Sequence, residues 1–327
     1  MRNSAISALR AASSCSTYRP SLYFLVSATV KNPLIILNPA AQSDKAARLI
    51  DRLKVLTNGA EIRLSAMPGD GEQLARTAVQ EGYTTIIAAG GDGTINEVVN
   101  GMAGNNAGKK PEATLGILPV GTMNVFAVEL GIPLNSLEKA WAIIQEGSIR
   151  QLDLPRAGSR CFVQLAGVGL DAEVVRRTTR ESKKALGPLS YLVSLAQVAG
   201  EKPPPISIEC ENGVMRTGSF VLLGNGRFYG GPFKMFRQGS QTDGLLDVLI
   251  FKNQSPWDLF RYMQAILMEQ HTNLDDVEYF QSESLSLTSH DPVPYELDGE
   301  MVGYLPLQVT LERGILPVLA PSAPRVS

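Results

Sequence analysis

Between Leu34 and Gln145, short apolar runs alternate with amphipathic stretches at a regular interval. Leu34-Ile35-Ile36-Leu37 reads as a buried strand that ends at Asn38-Pro39. Lys45–Leu56 places Ala46, Leu49, Ile50 and Leu53 on one face, which is helical spacing. Ile62–Leu64, Thr85–Ala89 and Leu115–Leu118 read as further strands, and 71–81, 95–102 and 136–145 as further helices. This alternation predicts a doubly wound parallel sheet covered on both faces.

After Leu154 the texture changes. Segments 161–166, 206–211, 219–223, 245–251, 284–287 and 307–311 are short, β-rich and separated by Gly, Pro, Asn and Asp. They predict a mostly antiparallel β-sandwich, interrupted by helices near 189–199 and 256–269. The fold class is therefore α/β followed by β. An extension at 1–30 precedes an α/β domain at 31–154 and a β-rich domain at 155–327, whose last strand is a candidate to pack back on the first domain.

A chain of 327 residues is long enough for two cores. Its net charge of -2 provides no basic footprint, so nucleic acid is not the expected partner. Cys15, Cys161 and Cys210 are dispersed, without metal-ligand spacing, and read as reduced thiols. With only 2 histidines, acid–base chemistry falls to carboxylates. No apolar run approaches the length of a bilayer span. The first thirty residues hold Arg2, Arg10 and Arg19 with no acid before Asp44. That composition could be a targeting segment, but the favoured reading is a disordered extension or a start placed too far upstream.

The strongest motif is Gly90-Gly91-Asp92-Gly93-Thr94-Ile95-Asn96-Glu97, between a strand and a helix. Glycines let backbone amides approach phosphate oxygens, and a helix N-terminus favours anions. The loop is not a dinucleotide fingerprint, because Asn96 stands where the third glycine belongs, and no Walker loop is present. A ligand-free turn remains open on these residues alone. Asp92 would repel a phosphate unless it faces Mg²⁺ or a donor. A second cluster, Leu118–Asn124, follows the next strand, where Thr122 and Asn124 offer neutral hydrogen bonds. Asp298-Gly299-Glu300 reads by itself as a hairpin turn.

Together, 90–100 and 116–133 resemble the catalytic domain of the diacylglycerol kinase family in its bacterial soluble branch, which is related to sphingosine kinases and NAD kinases. The resemblance implies an ATP- and Mg²⁺-dependent transfer to a lipid hydroxyl such as that of diacylglycerol. Ala89, Gly90, Gly91, Asp92, Gly93, Thr94 and Ile95 would hold the ATP phosphates, with Ser65 and Thr122 adding hydroxyl contacts. Glu300 would be the general base and Asp298 an orienting or metal-linked neighbour, with Asp92 counted among the catalytic acids. Asp243, with the carbonyls of Ser240 and Leu245, would bind Mg²⁺. Such a protein is expected in the cytoplasm, in peripheral contact with a membrane; a homodimer is left open.

Three positions depart from the family pattern. Val125 stands where an Asp is usual, Pro232 where a glycine is usual, and Thr242 where a first Asp is common in the metal turn. A sphingoid base or another acceptor therefore stays open, as does a nucleotide-binding protein without catalysis. Arg176–Lys184 reads as a solvated helix face or a membrane-facing basic run, and Leu186–Ala199 as core or channel lining.

Overall fold

The computed structural model describes residues 26–27, 30, 32–39, 46–104, 107–177, 203–231 and 233–322. The extension to residue 25, the basic run from Arg180, the helix expected near 189–199 and Pro232 lie outside them.

The first half runs β1 (Val26–Ser27), β2 (Leu34–Leu37), α1 (Ala46–Leu56), β3 (Glu61–Leu64), α2 (Asp70–Gln80), β4 (Thr85–Gly90), α3 (Asp92–Ala103), β5 (Thr114–Pro119), α4 (Val125–Leu130) and α5 (Leu137–Glu146). β3, β2, β4 and β5 lie side by side and parallel. Every residue of β2 and β4 is buried, which is why these strands read as unbroken apolar runs. In α3 everything from Thr94 to Ala103 is buried, because the helix is enclosed by the sheet, by α2 and by the second half of the chain.

The second half comprises β6 (Ser148–Ala157), β7 (Arg160–Cys161), β8 (Leu165–Val168), α6 (Leu170–Arg177), β9 (Ile206–Cys210), β10 (Met215–Gly218), β11 (Phe220–Gly224), β12 (Phe228–Tyr229) and β13 (Phe233–Lys234). It continues with β14 (Leu246–Phe251), α7 (Pro256–Leu267), β15 (Val277–Ser282), β16 (Ser284–Thr288), β17 (Pro294–Leu297), β18 (Glu300–Tyr304) and β19 (Leu307–Leu319). One antiparallel sheet has the order β15-β14-β11-β8-β17-β18. It packs on β9, β16 and β19 through Val168, Val221, Leu223 and Val248 facing Ile208, Leu285, Leu287 and Val309. The result is a β-sandwich after a parallel-sheet domain, in agreement with the sequence pattern.

The two halves share one continuous sheet. β19 pairs antiparallel with β16 at its start, with β6 along most of its length, and parallel with β5 at Val318. The ladder slips between Glu312 and Leu316. Asp153 of β6 fills the slip, accepting from the Gly314 amide at 2.7 Å and from the Gly244 amide at 2.7 Å. The strand expected over 307–311 thus runs on to Leu319, because a buried carboxylate replaces the missing ladder bonds across the Arg313-Gly314 kink.

Candidate active site

Strands β3, β2, β4 and β5 all end on the same edge of the sheet, where ligands of open α/β folds bind. Ser65, buried just past β3, donates its amide to the Leu37 carbonyl at 3.0 Å. Asn38, just past β2, donates through its side chain to Thr94 Oγ1 at 3.3 Å. The chain then turns from β4 into α3 across Gly91. A Cβ on Gly90 would lie 2.3 Å from Thr94 Oγ1, and one on Gly121 would lie 2.3 Å from Gly91 Cα. Glycine is required at Gly121 because the two loops touch backbone to backbone there, and at Gly90 because the Thr94 side chain folds back onto it. The Gly90 carbonyl ties them together, accepting from the Val120 and Gly121 amides at 3.1 and 3.2 Å. Ala89–Ile95, Ser65 and Thr122 are thereby gathered at one edge, with the Thr122 side chain exposed.

Two residues expected to face a ligand turn elsewhere. Asp92 Oδ1 accepts from the Phe126 amide at 3.1 Å, at the start of α4. The donor that relieves this carboxylate is backbone, and burial still pushes its pKa upward. Asn124, at φ 51, closes its own loop: Oδ1 accepts from the Gly121 amide at 3.1 Å and Nδ2 donates to the Gly121 carbonyl at 2.8 Å. Both side chains brace loops.

The β17–β18 hairpin reaches this edge from the sandwich. Asp298 and Gly299 both have positive φ, as the two central residues of a tight hairpin turn require. Glu300 is exposed, and its Oε1 would lie 2.8 Å from a Cβ placed on Gly93. The carboxylate therefore covers the glycine loop at a point where only hydrogen leaves room for it. Asp298 points the other way, into the protein. Oδ1 accepts from the Gln164 and Leu165 amides at 2.9 and 3.1 Å, and Oδ2 from the Val163 amide and Asn96 Nδ2, both at 2.8 Å. Burial raises its pKa to about 6, against the lowering effect of these donors. With four donors on two oxygens Asp298 anchors the turn, and its carboxylate is not directed at a metal.

Several supporting residues carried no assignment from the sequence. Asn96 and Asn100 are buried in α3; Asn100 accepts from the Cys161 amide at 2.8 Å, so both bind the helix to the sandwich. Glu97 accepts from the Gly69 and Gly71 amides at 2.7 and 2.9 Å and so holds the start of α2. The signal was present, as three polar residues spaced along an otherwise apolar helix. Behind Glu300, the Gly299 amide donates to Glu296 Oε2 at 2.6 Å. Glu296 is fully buried beside Asp171 of α6, which in turn accepts from the Tyr229 hydroxyl. Burial and the neighbouring Asp171 carboxyl push the Glu296 pKa well upward. A hollow of about 330 Å³ lined by Arg76, Lys109 and Lys110 lies at the opposite end of α3, away from this chemistry.

The expected metal turn sits at the foot of β14. Asp243 Oδ1 accepts from the Leu245 amide at 3.0 Å, and Ser240 Oγ lies 3.3 Å from Thr242 Oγ1. Burial first, and then the charge of Asp153, push the Asp243 pKa upward; burial raises Asp247 nearby to about 6. A half-buried carboxylate crowded by a second one is a hard oxygen donor of the kind Mg²⁺ accepts. Among the described residues no group of three or more His, Cys, Asp or Glu side chains converges on a cation position, so any site here relies on backbone oxygens.

A glycine loop at the carboxyl edge of a parallel sheet thus meets an acid-bearing hairpin from a β-sandwich, the two-domain frame that known lipid kinases share with this chain. Residues 32–157 match the diacylglycerol kinase catalytic domain and residues 164–320 the YegS C-terminal NAD kinase beta sandwich-like domain. The chain is 30% identical over 286 residues to the diacylglycerol kinase of Bacillus subtilis strain 168, covering 85% of this chain and 92% of the relative. It is 31% identical over 294 residues to a YegS-like lipid kinase of Chromohalobacter salexigens, covering 88% and 92%. Two crystal structures from Bacillus anthracis strain Sterne share the fold. Their TM-scores are 0.75 and 0.67 at 25% and 22% identity, covering 93% and 90% of this chain and 100% and 98% of theirs. This chain belongs to the diacylglycerol kinase family, within the branch that carries the YegS-type C-terminal domain.

Proposed function

We propose that the protein transfers the γ-phosphate of ATP to a lipid hydroxyl such as that of diacylglycerol, with Glu300 as general base. The observation that carries this reading is the position of the exposed Glu300 carboxylate directly over Gly93 of the phosphate loop. A hydroxyl arriving beside this contact would meet a proton acceptor, Glu300, next to the loop's anion-binding face. The glycines at 90, 91 and 93 and the start of α3 favour phosphate oxygens, while Ser65 and Thr122 border the same edge. Asp298, Asn96 and the Glu296–Asp171 pair hold the turn so that Glu300 stays in place. Mg²⁺, held by Asp243 with Ser240 and Leu245 carbonyls, would supply charge neutralisation and rigidity at the β14 turn.

A membrane lipid acceptor places the protein in the cytoplasm at a bilayer surface. Among the described residues no helix is long and apolar enough to cross a membrane; on this reading the contact is peripheral. The test is transfer of labelled phosphate from ATP to a panel of lipids in mixed micelles, with sphingoid bases and soluble acceptors alongside. Labelled phosphatidic acid is the expected product. Label in a sphingoid base or a soluble acceptor alone would contradict the diacylglycerol assignment.

A further inference from the structure

We infer that α7, with the adjoining β12–β13 hairpin, is the face by which this protein docks on an anionic lipid surface. Trp257, Phe260, Leu267 and Met268 of this helical segment are 70%, 52%, 61% and 71% exposed, and Met263 and Phe233 are exposed beside them. They account for six of the fourteen large apolar side chains left exposed among the described residues, so the apolar surface is concentrated and not scattered. No exposed position between Pro256 and Met268 carries a charge. The two charges of the helix are paired at its surface: Asp258 closes the capping box with Ser255, and Arg261 donates to Asp276 at 2.9 Å. An apolar stripe headed by a tryptophan stacked on a phenylalanine, centroids 5.6 Å apart, is how an interfacial helix is built.

Charge and continuity select a bilayer as the occupant. At the C-terminal end of α7, Lys234 pairs with Glu269 at 3.4 Å and Arg237 donates to Thr272 at 3.2 Å. At this end of the stripe two cations stand against the one anion Glu269, while the Asp258 and Asp276 carboxylates of the same face are engaged by Ser255, Arg261 and Tyr262, so it is the cationic end that complements anionic headgroups. β13 packs beside α7, and Phe233 is the cross-strand partner of Tyr229. Tyr229 in turn bonds Asp171, next to the Glu296 that holds the Glu300 turn. Toward the other loop, Met123 is 38% exposed, and its Cε would lie 3.1 Å from a Cβ on Gly231. The apolar face thus reaches the Met123 loop through Gly231 and is tied to the Glu300 turn through Tyr229, Asp171 and Glu296. This inference rests on the lipid-kinase reading and gives it a membrane-facing side. The basic segment of α6 is less suited to that role, because no large apolar side chain between Leu170 and Arg177 is exposed.

Trp257 supplies its own probe, since Trp141, the other tryptophan, is only 7% exposed. The full chain is titrated, without ATP, with vesicles of phosphatidylcholine containing phosphatidylglycerol, following tryptophan emission and co-sedimentation. A blue shift with co-sedimentation is expected. Phe260→Ser/Leu267→Ser, which keeps Trp257, should weaken partitioning by at least about tenfold, from the apolar area withdrawn. The same variant should keep its turnover on a short-chain diacylglycerol dissolved as monomers. Wild-type protein that ignores the vesicles, or a variant that partitions equally well, overturns the inference. So does a Trp257 already shielded in a dimer or by a bound protein. Vesicle binding without lipid phosphorylation leaves the docking face standing and removes the kinase reading instead.

Discussion

Asp298→Asn separates the anchoring role of this carboxyl from its charge. Asparagine tolerates the φ of 49 at this position, so the turn itself is not strained by the change. Each Asp298 oxygen now accepts from two donors. Whichever way the amide is placed, its NH₂ faces two of them and leaves both without an acceptor. Each orphaned buried donor costs about 1–3 kcal/mol, so the loss totals about 2–6 kcal/mol. Against it stands the removal of a buried charge. The rise from the ordinary 3.8 to about 6 means the ionised carboxylate itself costs about 3 kcal/mol at neutral pH. The net loss at pH 7 is therefore at most about 3 kcal/mol, and the variant should fold.

The sign of the pH dependence is fixed by the same shift. The folded pKa lies above the unfolded one, so the folded state binds more protons between about pH 4 and pH 6. Wild-type stability from this group is present in full below about pH 4 and is lost as pH rises through about 6. Asparagine lacks that component. Urea midpoints measured between about pH 7 and pH 5 should show the gap between variant and wild type widening as pH falls. A gap that stays constant or closes would refute the reasoning. Turnover should fall in the variant at every pH, because the mispaired amide loosens the turn that carries Glu300.

Further changes test the remaining contacts. Gly93→Ala would set a methyl 2.8 Å from Glu300 Oε1, so turnover should fall at least about tenfold with thermal stability nearly unchanged. Gly121→Ala meets the Gly91 backbone at 2.3 Å, where nothing flexible can yield, and ATP binding measured by calorimetry should be lost. Wild type stripped of divalent cations should gain melting temperature on adding Mg²⁺, and Asp243→Asn should not; a rise retained in the variant places the cation elsewhere. Glu296→Gln should keep the acceptor for the Gly299 amide and stay active, whereas Glu296→Ala should lose at least about 1 kcal/mol of stability and most turnover.

The parallel-sheet half was legible because β2 and β4 are buried on both faces and so have no polar alternation to interpret. β6 escaped notice for the opposite reason. Its Arg150, Asp153 and Arg156 look like a solvated segment, but Asp153 is buried against the Gly244 and Gly314 amides and Arg156 pairs with Glu312 at 3.2 Å. α4 has only six residues and starts at an asparagine in the left-handed region, beyond what periodicity detects. At the site, residue identities were visible but the directions of side chains were not. Asp92, Asn124 and Asp298 are polar groups in motif positions, and each turns toward backbone amides that only the folded chain brings near. Tyr229, Asp171 and Glu296 come from three separated segments, so their cluster has no signature in any one stretch of sequence.

The central claim is tested most directly by Glu300→Gln, compared with wild type in a single turnover of labelled ATP on diacylglycerol micelles, with ATP affinity measured on the same preparations. The account expects the variant to bind ATP like wild type and to form labelled lipid at least about 10²-fold more slowly, as removal of a general base implies. Lipid formed by both proteins at the same rate would contradict Glu300 as the base, and with it the site built around Gly93.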